Sequence, residues 1–198
     1  MMSEAHLFAV GVLLAWLAGV RAYLTVFGIG IAGIFGWLDL PPALEAVTSP
    51  WVLGVSGVLA LVEFFADKIP GVDSGWDLLQ TLARVPAGAF LAAATLSPDG
   101  ELGAGMLATG AGVALTSHAL KAGGRLLLNA SPEPVSNLAA STTEDVLTVS
   151  VLSLAFAFPW LALALVAVVA VPCAIVVAWL WRRLLRAVPR AARSGTTR

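Results

Sequence analysis

Charged residues are scarce in this sequence. Asp, Glu, Lys and Arg together make up 12% of its 198 residues, whereas a soluble domain carries about 25%. Hydrophobic residues make up 59%, and the mean hydropathy is +0.92. This composition excludes a soluble domain with an ordinary charged surface. It predicts an integral membrane protein with almost no mass outside the bilayer, and the length is typical of one domain.

Cysteine pairs and common catalytic motifs are also lacking. Cys173 is the only cysteine, so the chain forms no intramolecular disulfide, and we expect this residue to pack in a helix as a small hydrophobe. The sequence contains no HExxH, CxxC or P-loop pattern. We therefore predict no metal, no cofactor and no nucleic-acid partner, and these absences favour a non-enzymatic function over an enzyme.

The N-terminus lacks the positive charge that precedes the apolar stretch of a secretory signal peptide. The first charged residue is Glu4. We therefore expect the first apolar stretch to remain in the protein as a membrane segment.

Long apolar runs predict an all-α bundle of six to seven membrane segments. A spanning helix needs about 20 mainly apolar residues, and such runs lie at 50–66, 103–120 and 160–181. Shorter runs at 85–96 and 146–158 gain length from the amphipathic stretches 76–84 and 137–145. Trp160 at one end of the last segment, with Trp179 and Trp181 at the other, is typical of interfacial anchoring.

The apolar stretch 6–38 is too long for one ordinary span and short for two. Gly19 and Arg21 interrupt it near the middle, and a charge at the centre of a bilayer is costly. We predict two short helices, 6–20 and 22–38, that turn at Arg21. They either cross the membrane or form a re-entrant hairpin.

The distribution of basic residues predicts the orientation. Arginines crowd the C-terminus, at positions 182, 183, 186, 190, 193 and 198, and the positive-inside rule then places that end in the cytoplasm. Counting back through seven segments puts every lysine and arginine on the cytoplasmic side and the N-terminus outside. With six segments the N-terminus lies inside. We expect one membrane domain, 1–181, followed by a basic, disordered cytoplasmic tail, 182–198.

Polar and ionisable residues recur near the cytoplasmic ends of the predicted helices. Ionisable groups inside membrane segments usually line a pathway or a site. We predict that they converge in the cytoplasmic half of the bundle as a substrate-binding site. Its members are Arg21, Glu63, Asp67, His118, Lys121, Arg125, Asn137, Glu144 and Asp145.

A structural interpretation competes with this one, because helix ends carry charges freely and long side chains reach the interface. For Asp73, Asp77, Arg84 and Glu133 we favour that interpretation. The pair Gly123–Gly124, beside Lys121 and Arg125, offers backbone amides and positive charge for a phosphate.

Three sequence strings resemble a bacterial membrane family filed as domain of unknown function 4126. They are Gly19-Val-Arg-Ala-Tyr-Leu-Thr25, Asp67-Lys-Ile-Pro-Gly-Val-Asp-Ser74, and Ser131-Pro-Glu-Pro-Val-Ser-Asn137 followed by Glu144-Asp145. The resemblance covers nearly the whole chain. It implies a multi-pass protein of the bacterial cytoplasmic membrane, and it implies no reaction.

Three functions remain open on these observations. The first is transport or permeation of a small polar or ionic solute, with a homo-oligomer as one form of the protein. The second is binding or flipping of a phosphate-bearing or isoprenoid lipid, and the third is a non-catalytic role as a membrane assembly partner. Buried mixed charges favour the first function, and basic residues at the cytoplasmic interface favour the second.

Overall fold

The computed structural model describes residues 3–69, 72–97, 101–129 and 134–194. These residues form helices and no strands: α1 Glu4–Ile34, a 3-10 helix Pro42–Thr48, α2 Pro50–Ala66, α3 Val72–Thr95, α4 Ala104–Asn129, α5 Pro134–Ala157 and α6 Pro159–Ser194. For them the predicted all-α class is confirmed. Asp99, Glu133 and Arg198 lie outside the described residues, as do 70–71 and 131–133 of the two loop motifs.

Local sequence signals explain where several helices begin. The Ser49 hydroxyl accepts a hydrogen bond from the backbone N–H of Val52 at 3.4 Å, and Pro50 occupies the first helical position of α2. The Ser3 hydroxyl caps α1 in the same way through the N–H of His6. Proline is tolerated at the first position because its missing N–H would have no partner there, and α5 and α6 also begin at prolines.

Helix α1 is broken at Arg21, as the sequence predicts. Arg21 has φ −144° and ψ 75°, which are not helical values, although the residues on both sides are helical. The arm before Arg21 packs its Leu13 and Leu17 in one apolar cluster with Val151 of α5. The arm after it places Gly28 so that an added Cβ would lie 2.6 Å from Leu152, the next residue of α5.

These contacts show that the two arms of α1 lie side by side. Leu13 and Gly28 are fifteen positions apart, which is about 22 Å along a straight helix, yet they contact neighbouring residues of α5. The chain therefore folds back at Arg21. Both arms extend from it in the same direction, and Arg21 lies at the tip of the hairpin.

Small residues bring α1, α3 and α4 into close contact. A Cβ at Gly19 of α1 would overlap Ala114 and Ser117 of α4. A Cβ at Gly110 of α4 would lie 2.5 Å from the carbonyl oxygen of Gly88 on α3 and 2.6 Å from the Cβ of Ala92. Close backbone approach of this kind is a main source of helix association in a membrane, so these three helices form the packed centre of the bundle.

The predicted count of six to seven membrane segments is not confirmed. By length and composition, four helices in the described part of the chain are able to cross a membrane: Glu4–Ile34, Gly75–Thr95, Val135–Ala157 and Pro159–Arg183. A fifth is obtained if the 3-10 helix and α2, which meet at 64°, are counted as one broken span. The shortfall has a physical reason, because α2 is only 17 residues long and α4 contains polar and charged residues.

Helix α6 differs from the others in its packing. Most of its described side chains are exposed, and they include Trp160, Val168, Ile175 and Trp179. The helix also continues to Ser194, through most of the segment for which we expect a disordered tail. The division into a membrane domain and a tail stays a prediction.

Candidate functional site: a buried ion-pair network

Arg21 is the centre of a buried ion-pair network. Only 1% of its side chain is exposed, and its Nη1 lies 2.7 Å from Asp67 Oδ2. Its Nη2 lies 2.8 Å from Asp145 Oδ1 and donates to the Ser141 carbonyl at 3.2 Å. Lys68 Nζ lies 3.1 Å from the other Asp145 oxygen. The turn in α1 is thus tied to the end of α2 and to α5.

Two cations of α4 join the same anions. Lys121 Nζ lies 2.7 Å from Asp67 Oδ2 and 3.4 Å from Glu144 Oε2. Arg125 donates two hydrogen bonds to Glu144, one from Nη2 to Oε2 at 3.0 Å and one from Nε to Oε1 at 3.3 Å. Arg125 also donates to the Asn137 side chain and to the Asp67 carbonyl. Such two-point contacts hold a guanidinium in one orientation.

Arg84 of α3 forms the second half of the network. Its side chain is fully buried, and its guanidinium lies 2.8 Å from each of three groups: Glu63 Oε1, Asp77 Oδ1 and His118 Nδ1. Lys121 Nζ lies 3.5 Å from Asp77 Oδ1 and so connects the two halves.

These contacts determine the protonation of His118. Arginine has donors only, so Nδ1 of His118 accepts the bond from Arg84 and carries no proton. The Thr81 hydroxyl donates to the Asp77 carbonyl at 3.2 Å, so it accepts from His118 Nε2 at 2.7 Å. His118 is therefore the neutral tautomer with its proton on Nε2.

The described members of the network balance in charge. Five cations face five carboxylates: Arg21, Lys68, Arg84, Lys121 and Arg125 against Glu63, Asp67, Asp77, Glu144 and Asp145. These five cations are all the lysines and arginines that precede residue 182. A buried charge is tolerated when it is paired, and this pairing explains how so many charges fit among apolar helices.

Asp67, just beyond the end of α2, is the anion that the cations share. Burial raises the pKa of its carboxyl, but Lys121, Arg21 and Arg125 outweigh that effect and hold the pKa below its ordinary value. Asp67 is therefore a carboxylate at neutral pH. Its fully buried side chain keeps three helices together.

Several polar atoms of the network have no partner among the described residues. They are Glu63 Oε2, Asp67 Oδ1, Asp77 Oδ2, Arg21 Nε and Arg84 Nε. A buried polar atom without a partner costs about 1–3 kcal/mol. The three carboxylate oxygens can each accept a further hydrogen bond, and the two arginine Nε atoms can each donate one.

All nine residues of the predicted site lie in this one network. Arg21, Asp67, Lys121, Arg125, Asn137, Glu144 and Asp145 form one half, and Glu63 and His118 belong to the other. Their proposed role in binding substrate stays a prediction.

Asp77 and Arg84, which the sequence assigns to the interface, also belong to the network, as does Lys68, which the sequence does not single out. One signal was present: Asp77 and Arg84 are seven positions apart, which places them on one face of a helix.

The predicted phosphate site at Gly123–Gly124 is not supported by the structure. Helix α4 continues through both residues, so their backbone amides donate within the helix and are not free for a phosphate. An added Cβ at Gly123 would lie 3.3 Å from Val177 and 3.7 Å from Trp181. Gly123 therefore sets the approach of α6 to α4.

A lateral groove lies between α6 and the rest of the bundle. It has a volume of about 750 Å³, and residues of α1, α4, α5 and α6 line it. Its α6 side reaches from Leu165 to Leu180, which is about 22 Å of helix. The walls are almost wholly apolar, and Cys173, the single cysteine, is one of the α6 residues that face it.

Three charged residues interrupt the apolar lining of the lateral groove: Lys121, Arg125 and Glu144. They lie towards the Trp181 end, because Gly123, between the two cations on α4, packs against Val177 and Trp181. The groove thus combines a long apolar trough with a charged wall that belongs to the ion-pair network.

The fold and this site define a class of protein: a helical protein, with apolar helices compatible with several membrane crossings, whose described helices are joined by a charge-balanced network buried among them. The chain belongs to the family described as Domain of unknown function (DUF4126), whose model matches residues 8–183. No curated protein and no solved structure matches it significantly. The family assignment supports the resemblance seen in the sequence and adds no activity.

Proposed function

We propose that this protein binds a membrane phospholipid in the lateral groove, with an acyl chain along α6 and the headgroup at Lys121, Arg125 and Glu144. The proposal rests on the shape and the lining of the lateral groove. A trough about 22 Å long with apolar walls is suited to a hydrocarbon chain and not to a small polar solute.

The position of the charged wall supports a lipid as the occupant. It lies near Trp179 and Trp181, residues typical of the membrane interface, where the headgroups of a bilayer are found. We place this end of the groove on the cytoplasmic side because the basic residues from Arg182 onward follow it. In this orientation the protein is a multi-pass protein of the bacterial cytoplasmic membrane.

The loose packing of α6 supports the same function. The helix leaves a groove against α1, α4 and α5 instead of a close-packed contact. A lipid has access from the side of the bilayer, and its chain replaces the missing side-chain contacts. Lipid handling therefore requires no aqueous pathway through the packed centre of the bundle.

The test is native mass spectrometry of the purified protein after extensive delipidation. We expect one phospholipid adduct to persist on the wild type and to be lost in Cys173→Trp, because the indole fills the groove from α6. The matched control is Ile175→Trp, on an exposed residue two positions away that does not line the groove. It should keep the adduct.

A wild type without lipid, or an adduct that survives Cys173→Trp, would contradict the proposal. The same spectra report whether the predicted homo-oligomer forms.

Transport of a small polar or ionic solute is a second candidate. The unpartnered oxygens of Glu63, Asp67 and Asp77 favour it, because they provide acceptors for a cation or proton inside the bundle. Flux into proteoliposomes should then fall in the double variant Glu63→Ala/His118→Ala. Flux equal to that of the wild type would exclude the network as the pathway.

A further inference from the structure

The three charged residues of the lateral groove are not equally accessible. Glu144 has 20% of its side chain exposed, whereas Lys121 has 2% and Arg125 has 1%. The charge that an incoming headgroup meets first is therefore negative. A binding site built for an anion would present its cations instead.

The two cations behind Glu144 already have close partners. Lys121 Nζ lies 2.7 Å from Asp67 Oδ2 and donates to the Val20 carbonyl at 3.2 Å. Arg125 donates to the Asp67 carbonyl at 2.9 Å and holds Glu144. A phosphate reaches these cations only by taking the place of Glu144, so the displaced carboxylate needs a new cationic partner.

One oxygen of Glu144 is less engaged than the other. Its Oε2 has three cations nearby, at 3.0 Å from Arg125, 3.4 Å from Lys121 and 3.8 Å from Arg21. Its Oε1 receives Arg125 Nε at 3.3 Å. A carboxylate oxygen accepts more than one hydrogen bond, so Oε1 is the acceptor for a donor that enters from the groove.

The charge balance of the network also favours a headgroup without net charge. The described network already pairs five cations with five carboxylates, and adding an unpaired charge to a buried site is costly. A headgroup that brings both a phosphate and an ammonium adds no net charge. Its phosphate and its ammonium each find an opposite charge, on Arg125 and Glu144 respectively.

We infer that the lateral groove selects a zwitterionic phospholipid with a primary ammonium, which Glu144 binds, over phospholipids with a net negative charge. This inference rests on the proposed function. It names phosphatidylethanolamine as the type of ligand and Glu144 as the residue that determines specificity.

The experiment measures which lipid remains bound. The protein is placed in nanodiscs with equal amounts of phosphatidylethanolamine, phosphatidylcholine and phosphatidylglycerol, and the retained lipid is identified by native mass spectrometry. We expect phosphatidylethanolamine to be enriched roughly fivefold over phosphatidylglycerol, the effect of one partly exposed ion pair. Phosphatidylcholine, whose ammonium has no N–H, should be retained less than phosphatidylethanolamine.

Two variants that each remove one carboxylate separate local recognition from overall charge. Glu144→Gln should abolish the preference or reverse it towards phosphatidylglycerol. Asp145→Asn also removes one negative charge, but this residue faces Arg21 and Lys68, so the preference should persist. The wild-type measurement tests the inference even if a variant fails to fold.

The possible failures are distinct. If no lipid is retained on any form of the protein, the proposed function fails and the inference with it. If lipid is retained without preference for the primary ammonium, or if both variants change the preference equally, the inference fails while lipid binding stands.

Discussion

At the scale of single residues, Arg84 illustrates that a buried charge in the network is stable only when it is paired with an opposite charge. Its side chain is fully buried and contacts two carboxylates and a neutral histidine. Removing one partner of a buried ion pair is far more costly than removing both, because the remaining charge stays without compensation.

We predict that Arg84→Met lowers the free energy of unfolding by about 3–5 kcal/mol, since Glu63 loses the cation that contacts it. Glu63→Gln/Arg84→Met should recover part of that loss because the stranded carboxylate is gone. Thermal unfolding in detergent, followed by circular dichroism, measures both. A double variant no more stable than the single one would show that Arg84 acts through packing and not through charge.

The sequence indicates the buried charges but not their partners. Arg21 was recognised because it interrupts an apolar run, and its need for partners followed from its depth in the membrane. Its contact with Ser141 joins positions 120 apart, and no local pattern encodes such a pairing. Arg84 was missed because it lies at the start of an apolar segment, where a charge normally reaches water.

At the scale of helices, close packing rests on glycine at positions where another helix approaches. Gly110 and Gly112 lie two positions apart on α4, but their surroundings differ. An added Cβ at Gly110 would press on Gly88 and Ala92, whereas one at Gly112 would have no atom of the described residues within 4 Å.

We expect Gly110→Ala to lower the thermal unfolding temperature markedly or to prevent folding, because α4 must move away from α3. Gly112→Ala, the same change on the same helix, should leave stability unchanged or raise it by up to about 1 kcal/mol through helix propensity. Expression level and thermal unfolding compare the two. Equal effects would mean that the contact between α3 and α4 is not tight.

Helix positions were largely predictable and helix packing was not. The apolar runs located α2 through α6, and the charge at Arg21 located the break in α1. The groove beside α6 was not foreseen, because the Trp160–Trp181 segment is uniformly apolar and does not reveal which of its faces stays without protein contacts. The 3-10 helix between α1 and α2 was also missed, since its residues carry no helical period.

At the scale of the whole molecule, the hairpin in α1 places the N-terminus and the connection between α1 and α2 at the same end of the bundle. Because the two arms extend in the same direction from Arg21, Glu4 and Glu45 belong to the same side. A single straight helix would place them on opposite sides.

We predict that cysteines introduced as Glu4→Cys and Glu45→Cys, in a Cys173→Ala background, react alike with an impermeant maleimide in intact cells. Arg182→Cys should react only after permeabilisation, because the positive-inside rule predicts a cytoplasmic C-terminus. Mass shifts on gels report the labelling. If Glu4→Cys behaves like Arg182→Cys, α1 crosses the membrane once.

The balance of charge within the network has a consequence for biogenesis. Helix α4, with Lys121 and Arg125, is synthesised before α5, which carries Glu144 and Asp145. Until α5 is synthesised, only three of the five carboxylates of the network, Glu63, Asp67 and Asp77, face its five cations, and a chain truncated before α5 never completes the balance. Release from the insertion machinery should therefore wait for α5, and truncated chains should be recognised by membrane proteases.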